Sequence, residues 1–162
     1  MKYLLHIDGT FPNLALMRLS TYFKAQGETV CLMKGRGRRT LFDSAGEVYA
    51  SSIFQFSSAI RESVNATWPG VIWGGTGVKV DSNLTEIDAA VDWNGVKPDY
   101  TLYPAFPFSL GFSQRGCRLK CGFCVVPRKE GAPKAVSSIH ALWRGDPHPR
   151  AVILLDNDFF GQ

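Results

Sequence analysis

Three cysteines, Cys117, Cys121 and Cys124, fall within the short segment GCRLKCGFCVVP, while the fourth, Cys31, stands far from them. The spacing leaves three and then two residues between sulfurs, on a loop that carries glycines at 116 and 122. Such a loop can turn its thiolates inward around one centre. Three sulfurs then satisfy three corners of a tetrahedral zinc ion or of a [4Fe-4S] cubane, and one corner stays open. A disulfide framework needs spread, paired cysteines in an oxidising compartment, and this pattern has neither. Zinc would need a fourth donor from His140, His148 or Cys31. Zinc sites usually draw on two separated pairs, so one compact triplet favours the cluster.

Cysteine, three residues, cysteine, one residue, an aromatic, cysteine: in this order the segment resembles the cluster loop of the radical S-adenosylmethionine superfamily, with Phe123 as the aromatic. The resemblance implies that Cys117, Cys121 and Cys124 ligate three irons of a [4Fe-4S] cluster and that Phe123 lies near the adenine. The fourth iron would be chelated by the amino and carboxylate groups of S-adenosylmethionine. Reductive cleavage of that ligand would yield a 5′-deoxyadenosyl radical, with the cofactors carrying the difficult chemistry. A looser match follows in LLDNDFFG. The superfamily often holds the ammonium of S-adenosylmethionine at this position with a glycine-glycine-glutamate motif. That motif is absent here, and Asp156, Asn157 and Asp158 are the groups that would replace it.

The elements that must position these residues read as two units. KYLLHI (2–7) is a short apolar run closed by Asp8 and Gly9, the pattern of a buried parallel strand. Leu14, Leu16, Met17, Leu19, Tyr22 and Phe23 recur at helical spacing, with Asn13 as N-cap and Gly27 as the stop. TVCLMK (29–34) reads as the next strand, so a βαβ crossover is expected within the first 34 residues. Strands at 51–56, 70–75 and 98–104 and a helix at 59–67 continue the alternation. Five strands with intervening helices predict an α/β fold, a doubly wound flavodoxin-like or Rossmann-like sheet over 1–104. Its ligand crevice would be bordered by Asp8 and by the turn at Gly74 and Gly75. Asp8 has a competing reading as a helix cap, and His6 reads as a sheet residue rather than a ligand.

This first unit resembles the cobalamin-binding-like domain that precedes the barrel in one large class of radical S-adenosylmethionine enzymes, GVIWGGTG matching its strand and glycine turn. No Asp-x-His-x-x-Gly motif is present, so bound cobalamin would lack its lower axial histidine. From 105 to 162 the resemblance implies the first strands of an incomplete β/α barrel. A strand is expected at 109–116, a helix at 137–145 and a strand at 150–161. Two strands and one helix cannot cover their own apolar faces. The expectation is therefore a fragment, a truncated gene product or one part of a split protein, completed by a missing C-terminal portion or a partner chain. Such an open part-barrel is expected to give no turnover alone.

Composition sets the outer limits. At 162 residues, 45% hydrophobic and 20% charged, the chain has the make-up of a globular protein with a real core. Its longest apolar runs are too short to span a bilayer, and its start lacks an export signal, so no membrane association and a cytoplasmic location are expected. The net charge of +4 is mild. Glycine-spaced cations in KGRGRR (34–39) read as a solvated loop, and RNA binding is not expected. Cys31 reads as a buried inert thiol. The four tryptophans are scattered, which favours packing over a stacking platform.

Overall fold

The structure is a computed structural model. It describes residues 1–37 and 46–160, so Arg38 and Arg39 of the basic run lie outside the described residues. The chain divides into two compact units, Met1–Tyr103 and Pro104–Gln162.

In the first unit, β1 (Lys2–His6), β2 (Val30–Lys34), β3 (Glu47–Ser51) and β4 (Ile72–Gly74) form one parallel sheet in the order β2-β1-β3-β4. Side chains alternate across a strand, and β1 uses both faces. Tyr3, Leu5 and Ile7 pack with Val48, Ala50 and with Val64 and Trp68 of or just after α2 (Ser58–Thr67). Leu4 packs on the other face with Tyr49 and with Leu16, Leu19 and Phe23 of α1 (Leu14–Ala25). Burial on both faces explains why KYLLHI is continuously apolar rather than alternating. The Asn13 side chain accepts the Leu16 N–H at 3.2 Å, which starts α1, and Gly27 at φ +80° follows its end.

Two expected elements moved. The strand at 51–56 forms earlier, at Glu47–Ser51, because Val48, Tyr49 and Ala50 are the residues that fill the two cores. The segment after it leaves the sheet and enters a 3-10 turn at Gln55–Ser57. The strand at 98–104 is absent: Asp99 accepts the Thr101 N–H at 2.9 Å and caps a 3-10 turn at Tyr100–Leu102. Among the described residues the sheet of the first unit therefore has four strands rather than five.

In the second unit, β5 (Ser109–Gly111) pairs in parallel with β8 (Val152–Leu154), and β6 (Gln114–Arg115) pairs antiparallel with β7 (Lys134–Ala135). The helices α3 (Val126–Glu130) and α4 (Ile139–Leu142) are short. Leu142 packs so closely on Gly111 that a Cβ there would collide with it. Among the described residues no helix is long and apolar enough to cross a membrane.

Leu5 is fully buried at the centre of one core. Leu5→Ala should cost about 2–5 kcal/mol of stability through lost transfer energy and a residual cavity, read as a lower urea midpoint.

Candidate metal centre

The three clustered cysteines are free thiols in the loop that leaves the C-terminal end of β6. Cys117 and Cys124 are half-buried, Cys121 is exposed, and Phe123 is 93% exposed. Little apolar packing holds this loop, and carboxylates take its place. The Asp156 carboxylate accepts the N–H groups of Ser113 and Gln114 at 2.9 and 3.2 Å and also the Ser113 hydroxyl. Those bonds stand where a ladder would continue, and they break the expected strand at 109–116 into β5 and β6.

Glu130, at the end of α3, accepts Arg115 Nη2 at 2.6 Å, Gly116 N–H at 2.9 Å and Asn157 Nδ2 at 3.2 Å. Asp158 accepts the Arg118 N–H at 3.2 Å, pairs with Arg118 Nε at 3.3 Å and receives the Cys117 thiol at 3.9 Å. Its side chain is only 8% exposed. The Cys117 N–H in turn donates to the Gly131 carbonyl at 3.2 Å. Gly116, at φ +88°, lies so close to the Ala132 carbonyl that a Cβ would not fit. The first part of the loop is thus fixed on four sides. Beyond it, the Cys124 N–H donates to the Cys121 carbonyl at 3.0 Å, closing a turn before α3.

Asp156, Asn157 and Asp158 follow β8: Asp158 bonds to the cysteine loop, Asn157 to its Glu130 anchor, and Asp156 to Ser113 and Gln114 ahead of the loop. The sequence suggested these three as holders of the S-adenosylmethionine ammonium and gave no sign of Glu130, since an acid at the end of a five-residue helix carries no signature. It gave no sign of Gln114 either. That side chain is 1% exposed, and neither its Oε1 nor its Nε2 has a hydrogen-bond partner. Leaving a buried polar group unmatched costs about 1–3 kcal/mol.

Among the described residues, no group of three or more His, Cys, Asp or Glu side chains is gathered closely enough to hold a metal ion. His140 is exposed on α4, and neither it nor His148 or Cys31 completes such a group with the three thiols. Cys31 lies in β2, half-buried against the core.

At the other candidate site, the C-terminal ends of β1 and β3 diverge to helices on opposite faces. Asp8 bridges them. Its carboxylate accepts Ser52 Oγ at 2.8 Å, Ile53 N–H at 2.7 Å and Phe54 N–H at 3.3 Å, and it does not cap α1. Burial alone would raise its pKa, but these bonds and Ser57 outweigh that and hold it below 3.8. Gly74 packs against Leu84, and Gly75, at φ +102°, presses on the Ser52 carbonyl. Protein atoms already fill the space that a Cβ would take at these glycines.

His6 is 4% exposed beside this bridge. The Tyr103 hydroxyl, its pKa pushed up to about 12 by burial, accepts the Asn13 N–H at 3.3 Å and lies 3.1 Å from His6 Nδ1. Which of the two donates in this hydrogen bond follows from the tautomer of the imidazole. Nε2 lies against the turn at Gly9 without a well-formed hydrogen bond. Burial lowers the His6 pKa below 6.5, helped by Lys34 and opposed by Asp8.

No protein-family model, curated protein or solved structure matches the chain.

Two outcomes follow from this geometry. Asp156→Ala strips acceptors from two backbone N–H groups and a hydroxyl, and should cost about 1–3 kcal/mol in a denaturant titration. The unfolded chain protonates histidine near 6.5 whereas folded His6 resists until lower pH. Stability should therefore fall as pH drops below 6.5, and His6→Gln should flatten that part of the pH–stability curve.

Proposed function

We propose that this chain is a radical S-adenosylmethionine protein, in which Cys117, Cys121 and Cys124 hold a [4Fe-4S] cluster at the mouth of the first strands of a β/α barrel. The observation that carries the reading is the anchoring of the Cys117 end of this cysteine loop to the segment after β8, the parallel neighbour of β5. Parallel strands present their C-terminal ends at one edge, where β/α barrels build their active sites.

The donor chemistry fits the cluster. A cubane spreads its thiolates over three different irons, so the sulfurs need not converge on one point as they must around zinc. Arg118, Glu130 and Asp158 fix the Cys117 arm, while the exposed Cys121 and Phe123 leave the other arm free to close over a ligand. When bound and reduced by one electron, the cluster and S-adenosylmethionine supply C5′–S cleavage to methionine and a 5′-deoxyadenosyl radical. The chain's own part is to hold three irons, to leave the fourth without a protein donor, and to orient the loop. Asp156 acts here as a support for that loop, since its carboxylate already accepts from Ser113 and Gln114. The sheet of the first unit serves as a scaffold.

Anaerobic reconstitution with iron and sulfide should load about four irons per chain and give the charge-transfer absorbance of a cubane. Serine at Cys117, Cys121 or Cys124 should abolish that loading while leaving the circular dichroism of the first unit unchanged. One zinc per chain, with no iron retained and unfolding on chelation, would replace this reading with a structural zinc loop.

A further inference from the structure

At the N-terminal end of β8, opposite the end that steadies the cysteines, the second unit carries a cavity of about 390 Å³ lined by Ile139, His140, Trp143, Arg150 and Val152. Small-molecule sites commonly fall between about 300 and 1,000 Å³. The fold fixes the walls of this one. Leu142 packs on Gly111, the Arg144 N–H donates to Ser109 Oγ at 3.1 Å, and Arg144 Nη1 donates to the Phe106 carbonyl at 3.0 Å. Residues outside the cavity therefore attach α4 and its exit to β5 and the segment before it. Trp143 Nε1 donates to the Pro149 carbonyl at 3.0 Å, which holds the indole in place against the chain that leads into β8. Val152 adds an aliphatic surface from β8, and Ile139, 49% exposed, adds one from α4.

Positive charge is what this lining leaves unused. The Arg150 guanidinium lies 5.4 Å from the centroid of the Trp143 ring, and among the described residues neither Arg150 nor His140 has a hydrogen bond or an ion pair. No carboxylate is among the lining residues. A guanidinium that stacks on an aromatic face keeps its N–H donors at its edge, in the planar fork that matches a carboxylate. One cation that is always charged balances one negative charge, and the indole, Ile139 and Val152 beside it are covered only by a ligand with an apolar body. We infer that this cavity binds a small monocarboxylate carrying an aromatic or aliphatic body, with the carboxylate on Arg150 and the body against Trp143, Ile139 and Val152. His140 is a second donor at the same cavity. The site is built from the second unit alone and is independent of what the cysteines hold.

The test titrates the full chain with 3-phenylpropionate, with its neutral amide 3-phenylpropanamide and with acetate, following the indole N–H signal of Trp143 by NMR. 3-Phenylpropionate should shift that signal saturably at millimolar concentration. The amide, which keeps the body and loses the charge, should bind about tenfold more weakly, the difference expected of hydrogen bonds to a charged group. Acetate, which keeps the charge and loses the body, should give no saturable shift. Arg150→Gln should bind 3-phenylpropionate no better than the amide. Arg150 is exposed and bonds to nothing else in the described chain, so this variant should unfold at the wild-type urea midpoint. Equal binding of acid and amide by the wild type, acetate binding as tightly as 3-phenylpropionate, no saturable shift at Trp143, or discrimination that survives in Arg150→Gln would each overturn the inference. The first three of these results need no variant to fold.

Discussion

The cysteine loop has little core of its own, and everything proposed for it depends on carboxylates that replace one. Asp156, Asp158 and Glu130 accept between them five backbone or side-chain N–H groups from residues 113–118, together with a hydroxyl and a thiol. Hydrogen bonds to ionised acceptors are about twice as strong as neutral ones and directional. A small set of them can therefore fix backbone that apolar packing leaves loose. The same bonds tie the two parallel strands β5 and β8 together beyond their short ladder of three residue pairs.

Both candidate sites use this device, with different consequences. At the end of β1, Asp8 closes the gap between two diverging loops, and close glycine packing at 74–75 completes the closure. At the end of β8, the acidic residues hold only the near arm of a loop and leave the far arm exposed. The first arrangement is a finished structural joint. The second is a support with a free side, and that difference is why function is assigned to the second unit.

The parallel α/β sheet was legible because its core strands are apolar on both faces and its first helix carries a cap and a glycine stop. Glu47–Ser51 was misplaced because Glu47 and Ser51 dilute a core of only three residues, whereas SSIFQF looked more strand-like although Phe54 and Phe56 face solvent. At 98–104, β-forming tyrosines outweighed the local signal of Asp99, whose side chain also engages Ser20 and Lys24 on α1. The cysteines were legible by type and spacing alone. Glu130 and Gln114 were not, because their roles come from which atoms surround them, and a sequence without partners in space does not encode that visibly.

The pairing of β5 with β8 also sets an order of events. Ser109 meets Val152 across about forty intervening residues, so the second unit is organised by a long-range closure rather than by a local hairpin. Asp156 and Asp158 leave the ribosome well after the thiols they steady. For that interval the nascent chain displays its cysteines on an unanchored tether, and any machinery that delivers iron or guards sulfur from oxidation meets a pliable substrate before it meets a shaped one.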